Sequence, residues 1–298
     1  MKKNLYFVAA FAAVAMFASC DKNGKEGAEE AGSKVTVAAE NLVLYLPFED
    51  GAVETGKGIS FAGKKGTADF TEGFIGKCYT NTSGEATTEA YLKYSIADAN
   101  LFEELKSFTW TAWVKRPATG SGAIFSLNGG PSDWGCLVNF IFDNASTNEE
   151  TGVTSQQFNG RIDMNIGEEW PAFWPNVNGP EFAQTDKWFQ VVRTYDAATS
   201  VWNVYVNGVK FGGLVDEEGN PTSIFKFKDE LVGDIKLDSE TMNAFYVGAW
   251  AAIADGVNNQ GWMTFFNGSI DEMRIYNKAL SDEEIAKLYQ EEALIALE

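Results

Sequence analysis

The sequence predicts an all-β protein, a two-sheet antiparallel jelly-roll sandwich that ends in a short C-terminal helix. Three observations lead there. Short apolar stretches alternate with polar residues at a period of two through most of the chain, Asn-Gly pairs stand between or before such stretches, and helical periodicity is absent until Ser281. Strands that recur with turns and without alternating helices build sandwiches, not parallel α/β sheets. The 298 residues suit one large domain of this kind.

The N-terminus is a separate matter. Lys2 and Lys3 precede an apolar run of 13 residues from Leu5 to Phe17, and the small residues Ala18 and Ser19 lead to Cys20. This is the layout of a secretory signal peptide over residues 1–19. The run is too short to cross a bilayer as a helix, which takes about 20 apolar residues. Phe17-Ala18-Ser19-Cys20 resembles a bacterial lipobox, which implies lipidation of Cys20 and attachment to the membrane through that lipid alone. Residues 20–40, rich in Gly, Ala and charge, read as a lipidated flexible tether, and 41–298 as the folded domain. An outer-membrane lipoprotein on the periplasmic face or the cell surface follows as the expected location.

In the domain, Leu42, Leu44, Leu46 and Phe48 share one face of a first strand. Phe108, Trp110, Ala112 and Val114 alternate with polar residues and Trp113, and Cys136, Val138, Phe140 and Phe142 oppose Leu137, Asn139, Ile141 and Asp143. Ile162, Met164 and Ile166 oppose Arg161, Asp163 and Asn165. Segments 188–195, 201–206 and 209–211 form a meander with a type I′ turn at Asn207-Gly208, and Asn159-Gly160 and Asn267-Gly268 are expected to open further strands. Ser281 and Glu284 make a capping box ahead of Ile285, Leu288 and Tyr289. Cys78 and Cys136, in apolar strand contexts, read as buried free thiols.

Composition excludes several functions. The chain has no histidine, so Ser-His-Asp and Cys-His catalysis and His-ligated zinc are absent. Its formal charge is -19, and removing residues 1–19 leaves 21 basic and 42 acidic side chains, a net of -21. No basic stripe is available for nucleic acid.

Several segments then resemble the laminin-G-like branch of the concanavalin A-like lectin/glucanase superfamily, as found in bacterial lipoproteins. They are LVLYLPFEDG (42–51), FTEGFIGKCYTN (70–81), SFTWTAWVKRP (107–117), WFQVVRTYDAATSVWNVYVNGVKF (188–211) and FNGSIDEMRIYNKALSDEEIAKLY (266–289). Phe189, Gln190 and Arg193 depart from the residues usual in the family, and the stretch 170–182 has no counterpart. The resemblance implies a jelly roll, frequent structural calcium, and roles from glycan binding to protein adhesion, with enzymes in sister families.

Side-chain parity in SIDEMRIY places Asp271 with Met273 and Ile275, where a carboxylate needs a cation or several donors. With Glu49 and Asp50 at the end of the first strand, which lies near the last strand in the resembled fold, Asp271 forms a candidate site for a structural Ca²⁺; backbone donors to Asp271 are the alternative. For ligands, Trp170, Phe173 and Trp174 in a Pro-rich loop, with Trp134 and Trp262, are candidates for a sugar-stacking platform. For any single one of them, burial in the core is the competing and simpler reading. Asn139, Arg161, Asp163 and Asn165 supply polar groups suited to hydroxyls.

The expected function is an exported, lipid-anchored protein that binds a glycan or polysaccharide, without a catalytic set of its own. The alternatives are a glycoside hydrolase or polysaccharide lyase on the same fold, or an adhesion module with a surface protein partner. The Glu-x-Asp-x-x-Glu string of retaining glycosidases in the superfamily is absent, although acids from different strands, such as Asp143 with Asp163, stay open.

Overall fold

The computed structural model describes residues 35–130, 135–238 and 240–298. The predicted signal peptide, Cys20, most of the tether and Trp134 lie outside the described residues. In chain order the strands begin with β1 (Leu42–Leu46), β2 (Ile59–Gly66), β3 (Ala68–Glu72), β4 (Lys77–Asn81) and β5 (Ala90–Ile96). After helix α1 (Asn100–Glu103) come β6 (Phe108–Lys115), β7 (Gly122–Asn128), β8 (Cys136–Thr147) and β9 (Thr154–Asp163). Next are β10 (Ala172–Phe173), β11 (Val177–Gly179), β12 (Phe189–Asp196), β13 (Val201–Val206) and β14 (Val209–Lys210). The chain finishes with β15 (Lys226–Phe227), β16 (Glu230–Leu231), β17 (Ala244–Val247), helix α2 (Ala251–Ala254), β18 (Ser269–Tyr276) and helix α3 (Asp282–Ile295).

Two antiparallel sheets form the sandwich. The first runs β14-β13-β12-β6-β18-β4-β3, with β1 also on β18; the second runs β10-β9-β8-β7-β17-β5-β2, with β11 also on β9. Trp110, Ala112 and Val114 from β6 meet Phe125, Phe140, Phe142 and Phe245 from the other sheet in one core, as their alternation predicts. The Asn207-Gly208 turn has φ of 51° and 76°, the positive pair that a type I′ hairpin requires.

Helix α3 covers the outer face of the first sheet. Ser281 Oγ accepts from the Glu284 amide at 3.2 Å and Glu284 Oε2 accepts from the Ser281 amide at 2.8 Å, the predicted capping box. Ile285 and Leu288 pack with Val192, Tyr205 and Tyr276. Val37 joins the same cluster, and Thr36 donates to Glu291 through its amide and its hydroxyl. The chain therefore enters the folded unit by Val35, ahead of the boundary at 41 read from the sequence, because residues 35–38 dock on α3.

Three strand readings are corrected by bulges or by strand length. Leu42 leaves the face of Leu44, Leu46 and Phe48 and packs toward α3, since the register of β1 shifts between Leu42 and Leu44. At the start of β8, Cys136 lies in an outer cluster and Leu137 in the main core, where the β7 pairing is irregular. Asn159-Gly160 lies inside β9 and does not open it. Cys78 and Cys136 are buried free thiols in different sheets, as expected. Among the described residues no helix is long and apolar enough to cross a membrane.

Candidate functional site

The outer face of the second sheet carries a polar row that crosses five strands in direct register. Lys93 on β5 stands opposite Tyr246 on β17, Tyr246 opposite Ser126 on β7, Ser126 opposite Asn139 on β8, and Asn139 opposite Arg161 on β9. Period-two alternation turns all five outward, because Leu92, Phe245, Val247, Leu127, Phe140 and Ile162 point into the core.

Each end of the row is charge-balanced. Arg161 donates through Nε and Nη2 to both oxygens of Asp163, at 2.7 and 2.8 Å, and both side chains are buried. The guanidinium also lies 4.9 Å from the centre of the Trp174 ring, and Trp174 is 46% exposed. At the far end Lys93 pairs with Asp255 at 3.5 Å. Asp255 also accepts from the Tyr246 hydroxyl and from Asn128 Nδ2. These bonds and the Ala251 amide, which donates to Ser126 Oγ at 2.9 Å, hold α2 on this face.

Between those ends Asn139 is 1% exposed, and neither its amide oxygen nor its amide nitrogen has a hydrogen-bond partner. Buried polar groups are nearly always satisfied, so an amide with both ends open is an exception that calls for a water or a ligand group. The next outward residue on β8, Ile141, packs with Trp250, and Trp262 meets Trp250 edge-on at 5.3 Å while remaining 47% exposed. Exposed indoles thus lie on the same sheet face as Asn139, one over Arg161 and one on Trp250.

The loop that carries Trp174 is pinned from within. Phe173 stacks on Phe225 at 4.7 Å in the core. Arg193, which the sandwich interior buries, donates to the carbonyls of Pro175 and Phe158, both at 2.6 Å. Burial pulls its pKa down to about 9. Arg116 lies 3.8 Å from the Phe142 ring centre and donates to the Phe182 carbonyl at 2.5 Å. Trp174 sits between an inward Phe173 and a clamped Pro175, and is turned out.

Of the polar and aromatic candidates, the structure brings together Asn139, Arg161, Asp163 and Trp174. It removes Phe173 from the platform, since a side chain packed among core rings offers no face to a ligand. Trp170 is half-buried against the main core. Asn165 lies at another place, its backbone N–H donating to the Lys236 carbonyl at 2.9 Å. Ser126, Tyr246, Lys93 and Asp255 were missed by the sequence reading, which drew no candidate from β5, β7, β17 or the residues after α2.

The three proposed cation ligands do not fit a cation. The register of β18 against β6 slips between Asp271 and Arg274, and Glu272 takes a φ of 50° there, a bulge that reverses side-chain parity. Met273 and Ile275 face the core, whereas Asp271 turns to the opposite side. Its carboxylate accepts from the amides of Phe74 at 2.8 Å, Ile75 at 3.0 Å and Glu272 at 2.8 Å. Burial and then the neighbouring Glu272 hold its pKa well above the usual range. Glu49 accepts from the Lys77 amide and Asp50 from Lys77 Nζ, at 2.7 and 2.6 Å. Among the described residues no three acidic or thiol side chains converge as a metal site. The cross-strand acids are also engaged separately: Asp143 accepts from Ser121 and Asn159, and Asp163 is held by Arg161.

A sequence model of the family described as the concanavalin A-like lectin/glucanases superfamily matches residues 87–228 and 230–286. No curated protein matches the chain. Among solved structures, the binding domain of Paraclostridial Mosquitocidal Protein 1 is similar at 14% identity and a TM-score of 0.52, over 84% of this chain and 52% of that one. The receptor-binding domain of botulinum neurotoxin C/D mosaic serotype is similar at 14% identity and a TM-score of 0.50, over 84% and 51%. The chain spans about half the length of these structures, and at such identity the likeness is one of fold.

Proposed function

The chain belongs to the concanavalin A-like lectin/glucanase superfamily, and from that premise we propose that it is a glycan-binding protein whose site is the outer face of the second sheet. The observation that carries this reading is the buried Asn139 amide, open at both ends, beside the Arg161–Asp163 pair and the exposed Trp174. A sugar presents hydroxyls that both donate and accept, and a C–H face that packs on an indole. The same two features stand side by side here. The signal and lipobox at residues 1–20 support export and attachment through a lipid on Cys20, with the body held at the outer membrane on its periplasmic or outer side.

The test is a glycan array with the purified full chain and its Trp174→Ala variant. Binding to at least one glycan by the native chain, lost in the variant at unchanged melting temperature, supports the reading. Absence of binding to every glycan, together with capture of a single surface protein, overturns it in favour of adhesion. Metabolic labelling with a fatty acid tests the anchor: the native chain takes up label and Cys20→Ser does not.

A further inference from the structure

We infer that this face selects neutral glycans and rejects those that carry carboxylate or sulfate. The inference rests on the glycan-binding reading and adds the ligand class. An acidic sugar needs an uncompensated cation or a set of donors. Here each cation in the row already has its own anion: both Asp163 oxygens are on Arg161, and Asp255 is within 3.5 Å of Lys93. The fork that would receive a ligand carboxylate is occupied from inside the same strand.

The open groups point the same way. Asn139 offers one acceptor and one donor, whichever way its amide is turned. The amide has almost no accessible surface of its own, so a pair of sugar hydroxyls answers both groups through an ordered water. A carboxylate answers only the donor and leaves the amide oxygen unsatisfied, next to an Arg161 whose guanidinium is already taken by Asp163. Desolvating an anion in that setting is costly. At longer range the chain's net charge of -19 repels a polyanion before contact.

Affinity electrophoresis of the full chain in neutral detergent tests this, with gels that contain neutral polysaccharides (glucan, mannan, galactan, arabinan) or acidic ones (polygalacturonate, alginate, chondroitin sulfate). The expected result is retardation in at least one neutral gel and in none of the acidic gels, at low and at physiological salt. Retardation in acidic gels equal to or above that in neutral ones, and lost in Trp174→Ala, overturns the neutral selectivity while the binding face stands. No retardation in any gel removes the glycan-binding reading and this inference with it. A second measurement uses Asp163→Asn, which leaves the Arg161 charge without its partner. It is expected to strengthen retardation by an acidic polysaccharide roughly tenfold at low salt. A folded Asp163→Asn protein with unchanged preference shows that charge compensation does not set the selectivity, and should the variant not fold, the native panel decides alone.

Discussion

Arg274 on β18 reaches across to Glu292 on α3 and pairs with it where both side chains are fully buried. The same guanidinium donates to Glu272 at 2.6 Å and lies 4.0 Å from the Tyr45 ring centre. Trp113 Nε1 and Gln190 Nε2 also donate to Glu292, at 2.6 and 2.8 Å. The helix that covers the first sheet is therefore docked by a polar centre in which two carboxylates share one cation.

That surplus of acid sets a pH dependence. Burial raises the Glu292 pKa to about 7, and Glu272 adds to the rise while Arg274, Trp113 and Gln190 oppose it. A carboxyl whose folded pKa is raised binds its proton more tightly in the folded chain. Its stabilising contribution is complete below the ordinary value of 4.5 and is lost as pH rises through about 7. Asp271, also raised, acts in the same direction. Melting temperature is expected to fall between about pH 5 and pH 8, and Glu292→Gln should flatten the slope. A native curve that rises over this window would contradict the assignment.

Breaking the pair from its cationic side should be far worse than titrating it. Arg274→Ala leaves Glu272 and Glu292 buried without a counter-ion, a loss on the order of 3–5 kcal/mol. Replacing all three charges, Arg274→Met with Glu272→Gln and Glu292→Leu, should recover much of that loss, because the desolvation penalty goes with the charges. Urea unfolding of the three proteins checks the order.

This polar centre also marks where the sequence stopped being legible. The alternation of β6, the Asn207-Gly208 turn and the Ser281 capping box are local patterns, and each is present as read. A bulge is not a local pattern. Nothing in SIDEMRIY announces that Glu272 adopts a left-handed backbone, so a strict period of two placed Asp271 on the apolar side and suggested a cation for it. In the candidate site, Asn139, Arg161 and Asp163 were legible because polar residues interrupt apolar strands. Their pairing with Lys93, Tyr246 and Asp255 depends on strand order across the sheet, which parity within a strand does not carry.

Since Asp271 is satisfied by three backbone amides, its stability should not depend on a divalent ion. Melting in EDTA and in millimolar calcium is expected to agree within experimental error. A substantial rise with calcium would mean that the loop at Phe74 and Ile75 rearranges to admit the ion.

Adjacent aromatics should behave in opposite ways. Phe173→Ala empties a core position beside Phe225 and is expected to cost about 3–5 kcal/mol. Trp174→Ala removes a half-exposed ring and should change stability by about 1 kcal/mol or less, while abolishing glycan retention. Denaturant midpoints and affinity gels run on both variants separate the two roles. Equal loss of stability in both would place Trp174 in the packing.

Arg193 is one of the residues in which the chain departs from the resembled family pattern, and its geometry gives it a structural role. Its guanidinium crosses the core to the carbonyls of Pro175 and Phe158, so it ties the Trp174 loop to β9 from behind. Arg193→Met keeps the volume of the chain stem and removes both donors. Two carbonyls then lose a charge-assisted bond, while the cost of burying the cation disappears; these partly offset, and a net loss of about 1–3 kcal/mol is expected. The distinguishing effect is local. Amides of residues 172–179 should exchange with solvent faster in the variant while those of β12 and β13 keep their protection, and glycan retention should weaken at temperatures where the domain is folded. If protection over 172–179 is unchanged, the loop is held by Phe173 packing alone and Arg193 does not position Trp174.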